Sequence, residues 1–405
     1  MSRSERQITL INIAHTFTHY SLLILPTAVL AIAQPGGAFG AEYGPVLALA
    51  TGMFVLYGLF SLPQGWLAQR LGRKTLLACF YFGTGFSMLA AGAAGSPLWL
   101  AVALAGIGLF TAIYHPIGTT MLVEAAGEKP GRAIGVNGVY GNIGVALAPV
   151  ATAFFASQFG WRSAFFIPGV LCALLGLIWL RVPAHGVGSR ASARPFPPIP
   201  PHLVRRAVLV LMLIAAVSGL VFNAFTLLLP KLMQERLADD PNLLPLVGAA
   251  AFVATLCGAV TQLSVGRLID RCTLRRVLLP VSLVLAPTMA LLAFAQGWLV
   301  VPLAGAVAAS LFGQVTVNET MAARYVSPDL RARIYSVRFF VGFLGAAAAA
   351  PIVGFLHATT GDLSAVTALL AVFSTVTLGC ALGFPDRKEE LRPDLWTTVV
   401  PSAAE

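Results

Sequence analysis

Charge is scarce in this sequence. Only 10% of its 405 residues are Asp, Glu, Lys or Arg, while 58% are hydrophobic. Soluble domains carry roughly a quarter charged residues, so a water-facing globular surface is excluded for most of the chain. Cysteine is also sparse: Cys79, Cys172, Cys257, Cys272 and Cys380 lie inside apolar runs or beside an arginine-rich loop. None has disulfide or metal-ligand spacing, so neither a metal site nor a cofactor is expected. The chain has no Gly-x-x-x-x-Gly-Lys-[Ser/Thr] stretch to cradle phosphates, which argues against ATP-driven chemistry. Nucleophile-elbow and metalloprotease motifs are missing as well, and no enzyme is expected.

Long apolar runs are what the chain has. They fall at 8–33, 44–68, 76–94, 97–123, 133–156, 163–181, 205–229, 243–264, 276–295, 298–320, 333–357 and 362–384. Each can cross a hydrocarbon core of about 30 Å, which predicts an all-α integral membrane protein with twelve transmembrane helices. The opening MSRSERQ precedes a run too long for a signal-peptide core and reads as a short tail. Most connections are short. The exception is residues 181–206, with six prolines, five arginines and no acid, a composition suited to a flexible linker with polyproline character. The expected organisation is a six-helix bundle at 1–181, a linker at 182–204, a second six-helix bundle at 205–384 and a cytoplasmic tail at 385–405.

The net charge of +10 could suggest nucleic acid, but its distribution follows a membrane pattern. With the N-terminus inside, 23 of the 26 Lys and Arg residues lie on inside segments, leaving Arg162, Lys231 and Arg236 outside. The positive-inside rule therefore predicts both termini in the cytoplasm, with a lipid bilayer rather than nucleic acid as the partner of the basic surface.

The two halves repeat. Gly65-Trp-Leu67-Ala-Gln69-Arg70 recurs as Gly266-Arg-Leu268-Ile-Asp270-Arg271, an offset of 201 residues. The same offset carries Arg132, Val136, Gly141, Gly144, Ala146 and Ala148 onto Arg333, Val337, Gly342, Gly345, Ala347 and Ala349. Two separated stretches sharing one offset predict pseudo-symmetric halves in parallel orientation. A substrate site then lies between them near the bilayer midplane and is exposed to each side in turn.

With these features the chain resembles the major facilitator superfamily over nearly its whole length. The loop motif stands here as Gly65-Trp66-Leu67-Ala68-Gln69-Arg70-Leu71-Gly72-Arg73-Lys74. In the family, an aspartate at the Gln69 position helps latch the halves through charge interactions. The resemblance thus implies a latch of Gly65, Gln69, Arg70, Arg73, Gly266, Asp270 and Arg271, weakened at Gln69 and carried more by Asp270. Gly138-Val-Tyr-Gly141-Asn142-Ile-Gly144-Val-Ala-Leu-Ala-Pro149 is similar to the family's antiporter motif but lacks its Gly-Pro pair. More narrowly, Gly106-Ile-Gly108-Leu-Phe-Thr-Ala-Ile-Tyr114-His115-Pro116-Ile-Gly118 looks like the His-Pro segment of fosmidomycin-resistance-type efflux proteins and their relatives, as do Val317-Asn318-Glu319 and Ala323-Arg324-Tyr325-Val326. The helix-four arginine motif of drug/proton antiporters is missing, and His115 stands in that neighbourhood. The resemblance implies a monomeric secondary transporter of the bacterial inner membrane.

Polar and ionisable residues inside apolar runs are costly, so each is a candidate for function. Asn12, His15 and His19 share one face of the first helix. Histidine titrates near neutral pH and can carry a transported proton; equally, it can hydrogen-bond neighbouring helices and fix packing. His115 precedes Pro116, which frees carbonyls one turn earlier, so His115 serves either a solute or proton or one of those carbonyls. Arg338 suits a carboxylate or phosphonate, whereas its bland role is an ion pair with Glu319. Asn137, the counterpart of Arg338 under the offset, and Asn142 complete the candidate set. The expected function is proton-coupled export of a small, anionic or drug-like solute. Import or uniport of a small organic anion is the alternative within this fold, and an intramembrane enzyme or sensor the alternative outside it.

Overall fold

The computed structural model describes residues 3–126, 130–182, 198–237, 243–392 and 395–396. Among these residues twelve helices are long and apolar enough to cross a membrane. They are α1 (Glu5–Ile32), α2 (Tyr43–Ser61), α3 (Arg73–Gly92), α4 (Pro97–Leu122), α5 (Gly135–Phe159), α6 (Ser163–Leu180), α7 (Pro201–Leu237), α8 (Leu244–Ile269), α9 (Leu274–Phe294), α10 (Gly297–Tyr325), α11 (Val337–Thr360) and α12 (Ser364–Gly383).

Proline accounts for the main departures from the apolar runs. The run 44–68 is not one helix: α2 stops at Ser61, and a separate short helix, Gln64–Leu71, follows Pro63. Proline has no N–H to continue the ladder and clashes with the preceding turn. Helix α1 is interrupted at Leu23, whose N–H bonds to the Tyr20 carbonyl at 3.1 Å, just ahead of Pro26. At α7 the opposite holds: the helix begins at Pro201 and takes in the last four residues expected in the linker. A proline in the first helical turn gives up only an N–H that would be unpaired anyway. Residues 183–197 of the expected linker and most of the tail beyond 396 lie outside the described residues.

Helix pairing repeats across the linker. In the first half α1 packs on α5, α2 on α4 and α3 on α6; in the second α7 packs on α11, α8 on α10 and α9 on α12. The halves meet chiefly through α5 against α8 and α2 against α11. The start of α1, the helix Gln64–Leu71, the turn before α9 and the segment Lys388–Leu391 lie at one end, which is the arginine-rich end. Contact between the halves is closest at the other end. There, a Cβ added to Gly44 would sit 2.4 Å from the Gly354 carbonyl oxygen, and one on Gly354 would sit 2.8 Å from that of Gly44. Only glycine lets α2 and α11 cross this closely, as small residues do in membrane helix packing. Toward the arginine-rich end the fit loosens: the Cβ positions of Gly65, Gly138 and Gly266 meet no heavy atom within 4 Å.

Candidate functional site

Three of the sequence candidates converge on one point. His15 Nδ1 lies 2.7 Å from the Asn137 carbonyl oxygen, and its Nε2 lies 3.1 Å from His19 Nε2. The His115 ring is centred 5.2 Å from that of His15 and 5.5 Å from that of His19. His15 and His19 share a face because they are four residues apart on α1. His115 reaches them because Pro116 opens the middle of α4 into a π-helical turn, Tyr114–Gly118. Such turns are rare and are frequent at functional sites. Among the described residues neither His115 nitrogen has a hydrogen-bond partner, so His115 does not satisfy a freed carbonyl.

Asn137 organises the cluster. Its amide donates to Asn12 Oδ1 at 2.8 Å and to the Tyr114 hydroxyl at 2.7 Å, while its carbonyl accepts from His15. The Tyr114 ring stacks on His15 at 4.8 Å. Gly141 provides the floor: an added Cβ there would meet the His15 ring at 2.6 Å. His15 is buried, whereas His19 and His115 are half-buried. From the other half, Phe339 and Phe343 of α11 approach the cluster. Phe339 stacks on His115 at 6.1 Å, and Phe343 meets the Tyr57 ring edge-on at 4.7 Å. The wall is therefore aromatic and comes from both halves.

The other candidates lie apart from the histidines. Asn142 donates to Gln262 of α8, linking the two halves. Arg338 interacts electrostatically with Glu319. Among the described residues Arg338 Nη1 is buried without a hydrogen-bond partner, and the guanidinium lies 5.5 Å from the centre of the Phe339 ring. Under the 201-residue offset the counterparts of His15, His19 and His115 are Ala216, Leu220 and Thr316; near them Gln314 receives a hydrogen bond from Ser218 at 3.1 Å and donates to Ser282 and Thr377 at 3.4 Å.

The loop motifs differ between the halves. Gln69 is exposed and makes no side-chain hydrogen bond among the described residues; Arg70 lies over Trp66, its Cζ 4.3 Å from the ring centre, and Arg73 pairs with Glu124. Asp270 and Arg271 are also exposed. Asp270 interacts electrostatically with Arg324, whose Nη2 donates to the Ile269 carbonyl at 2.7 Å and whose Nη1 lies 3.5 Å from Glu390. Gly65 and Gly266 have no close neighbours. Tyr57, Tyr114, Gln262, Glu124 and Glu390 are neighbours of these candidates that sequence reasoning did not single out. A polar residue in an apolar run is the signal that would have marked Gln262. The partners of the others depend on contacts between separate helices.

A family profile described as Major Facilitator Superfamily matches residues 16–244 and 237–401. Among curated relatives, the 4-hydroxybenzoate transporter PcaK of Pseudomonas putida is 32% identical over 189 residues, 44% of this chain and 41% of that protein. The chain thus aligns with well under two thirds of that relative. The multidrug resistance protein MdtG of Salmonella typhimurium is 24% identical over 295 residues, covering 68% of this chain and 72% of its own. Among solved structures, the inward-open xylose transporter XylE from E. coli superposes with a TM-score of 0.74 at 12% identity, covering 97% of this chain and 100% of its own. The inward-facing, unoccupied bacterial homologue of the human lysosomal transporter Spinster gives 0.70 at 15% identity, covering 98% and 95%. These two likenesses concern the fold.

Proposed function

The chain belongs to the major facilitator superfamily, whose members are transporters and not enzymes, and on that premise we propose that it exports a small anionic or drug-like solute across the bacterial inner membrane in exchange for protons. The observation that carries this reading is the cluster of His15, His19 and His115, packed against Phe339 of the opposite half. Ionisable groups at such depth are costly and mark ion or substrate paths, and histidine gains and loses a proton near neutral pH. The drawn-together end at Gly44 and Gly354 and the looser arginine-rich end suit an inward-open state, with both termini in the cytoplasm as the positive-inside rule requires. Alternating access then exposes the histidines to either side. One chain holds both halves, so a monomer suffices.

Export is supported by the multidrug resistance relatives and by the likeness of the His115-Pro116 segment to fosmidomycin-resistance-type efflux proteins. An anionic solute is supported by Arg338 beside the aromatic wall, whose Nη1 has no hydrogen-bond partner among the described residues; a planar guanidinium binds carboxylates and phosphonates bidentately. The same arginine and the likeness to PcaK favour a second reading, import of an aromatic acid. Purified protein in vesicles, assayed with and without an imposed pH gradient, tests both. In the double variant His15→Gln, His19→Gln, solute exchange should persist while gradient-driven accumulation is lost. Uphill transport at the unmodified rate would show that the histidines only pack helices. The direction of the pH gradient that drives accumulation separates export from import.

A further inference from the structure

We propose that His15, His19 and His115 form a binding site for a divalent transition-metal ion of the zinc, cobalt, nickel or copper class. One ring nitrogen from each lies within 4.8 Å of the others, and the three come from two helices, α1 and α4. Imidazole nitrogens are the favoured ligands of these ions. In tetrahedral zinc sites, bonds of 2.0–2.1 Å set ligand nitrogens about 3.3 Å apart; the Nε2 atoms of His15 and His19 are 3.1 Å apart. His115 needs to move in by roughly 1.5 Å to reach the same spacing. Ring rotation in the widened turn at Pro116 can supply that shift, because its nitrogens are not engaged elsewhere among the described residues.

The tautomer of His15 is also that of a ligand. Its Nδ1 faces a backbone carbonyl, which can only accept. Nδ1 therefore carries the hydrogen and Nε2 presents a lone pair toward His19. A histidine oriented by a backbone carbonyl behind it is the usual outer support of a metal ligand, and here Asn137 is held in turn by Asn12 and Tyr114. A single proton shared between His15 and His19 explains their 3.1 Å contact equally well. It does not explain why a third histidine with no hydrogen-bond partner converges on the pair.

Three protein ligands leave the fourth position of a tetrahedral site open, and His19 and His115 are each only half-buried. Three neutral imidazoles leave the full charge of a dication inside an apolar bundle, a costly state. The fourth position therefore suits an anionic oxygen, from hydroxide or from a carboxylate solute. Metal and protons compete for the same nitrogen lone pairs, yet the site goes beyond the transport reading: the ion binds whether or not protons drive transport.

The test uses the full chain without an oligohistidine tag, stripped by a chelator in detergent and titrated with Co2+ and then Zn2+. One ion per chain is expected, with tetrahedral Co2+ absorption in the visible that Zn2+ displaces. X-ray absorption of the zinc form should show nitrogen neighbours at about 2.0–2.1 Å. His19→Gln and His115→Gln should each weaken binding by about tenfold or more, whereas His202→Gln and His357→Gln, outside the cluster, should not. Failure of the unmodified protein to bind an ion stoichiometrically would overturn the proposal. So would binding undiminished in both cluster variants, or binding abolished by His202→Gln, since the ion would then sit at the surface. Loss of proton coupling is not a readout here, so the two readings fail separately.

Discussion

Single residues set the tightest constraints at the histidine cluster. Asn137 donates both amide hydrogens, and its carbonyl fixes His15. Asn137→Ala removes both donors and leaves the carbonyl in place. Polar contacts between membrane helices average about 0.6 kcal/mol each, so the variant should lose about 1 kcal/mol, read as reversible unfolding in mixed micelles. Gly141 is less forgiving, since a methyl group there meets the His15 ring at 2.6 Å. Gly141→Ala should displace the ring and weaken Co2+ binding, while leaving helix content measured by circular dichroism unchanged. The spacing of Asn12, His15 and His19 was legible because helical periodicity is a local property. Tyr114 was not singled out: nothing local says that an aromatic hydroxyl will meet an amide 23 residues further along the chain.

At the scale of elements, two short segments depart from plain transmembrane helices. In α4, Pro116 widens the helix and turns His115 toward α1. Pro116→Ala should let the turn rewind to α-helical register and rotate His115 by about 100° per residue shifted, lowering metal affinity while His15 and His19 stay paired. The second segment is Lys388–Leu391 after α12. Its Glu390 is buried; the carboxylate accepts from the Leu274 N–H and from the Tyr325 hydroxyl, at 2.5 Å from the latter. Burial pushes the Glu390 carboxyl above its ordinary range, against the pull of Tyr325, Leu274 and Arg324. The folded state thus holds this proton more tightly than the unfolded chain, so docking weakens as pH rises out of the ordinary carboxylate range. Glu390→Gln mimics the neutral form and should keep the segment docked, whereas Glu390→Ala strands buried partners at a cost of about 1–3 kcal/mol. Trypsin cleavage at Arg387 and Lys388 should be faster only in the alanine variant.

For the whole molecule, the balance between open and closed ends rests on how closely the halves approach. Gly44→Val overpacks the crossing with Gly354. Overpacking costs about 1–3 kcal/mol, so the population closed at that end should fall by roughly 5–150-fold. Spin labels at positions 42 and 359, both exposed, should move apart in this variant; an unchanged distance would mean that the crossing does not control closure. Asymmetry between the loop motifs is read by comparing Asp270→Asn with Gln69→Ala, and the former should shift the balance more because Asp270 faces Arg324. Equal shifts would remove that asymmetry.

Composition and hydropathy by themselves determined that this is a twelve-span membrane protein, because burial in lipid selects apolar residues over every span. The 201-residue offset foretold the repeated helix pairing of the two halves, since a repeated pattern of small and apolar residues packs in a repeated way. Only the tertiary structure decided which candidates share a site. His115 stands 96 residues from His19, yet its ring lies 5.5 Å away; that distance depends on the crossing of α1 and α4 and on the turn at Pro116. Asn142 and Gln262 meet across the halves, while Glu319 and Arg338 interact with each other. Local sequence specifies the periodicity of a helix but not its rotation against a distant neighbour. That rotation follows from side-chain and backbone contacts along the whole interface, and it sets three histidines around one point.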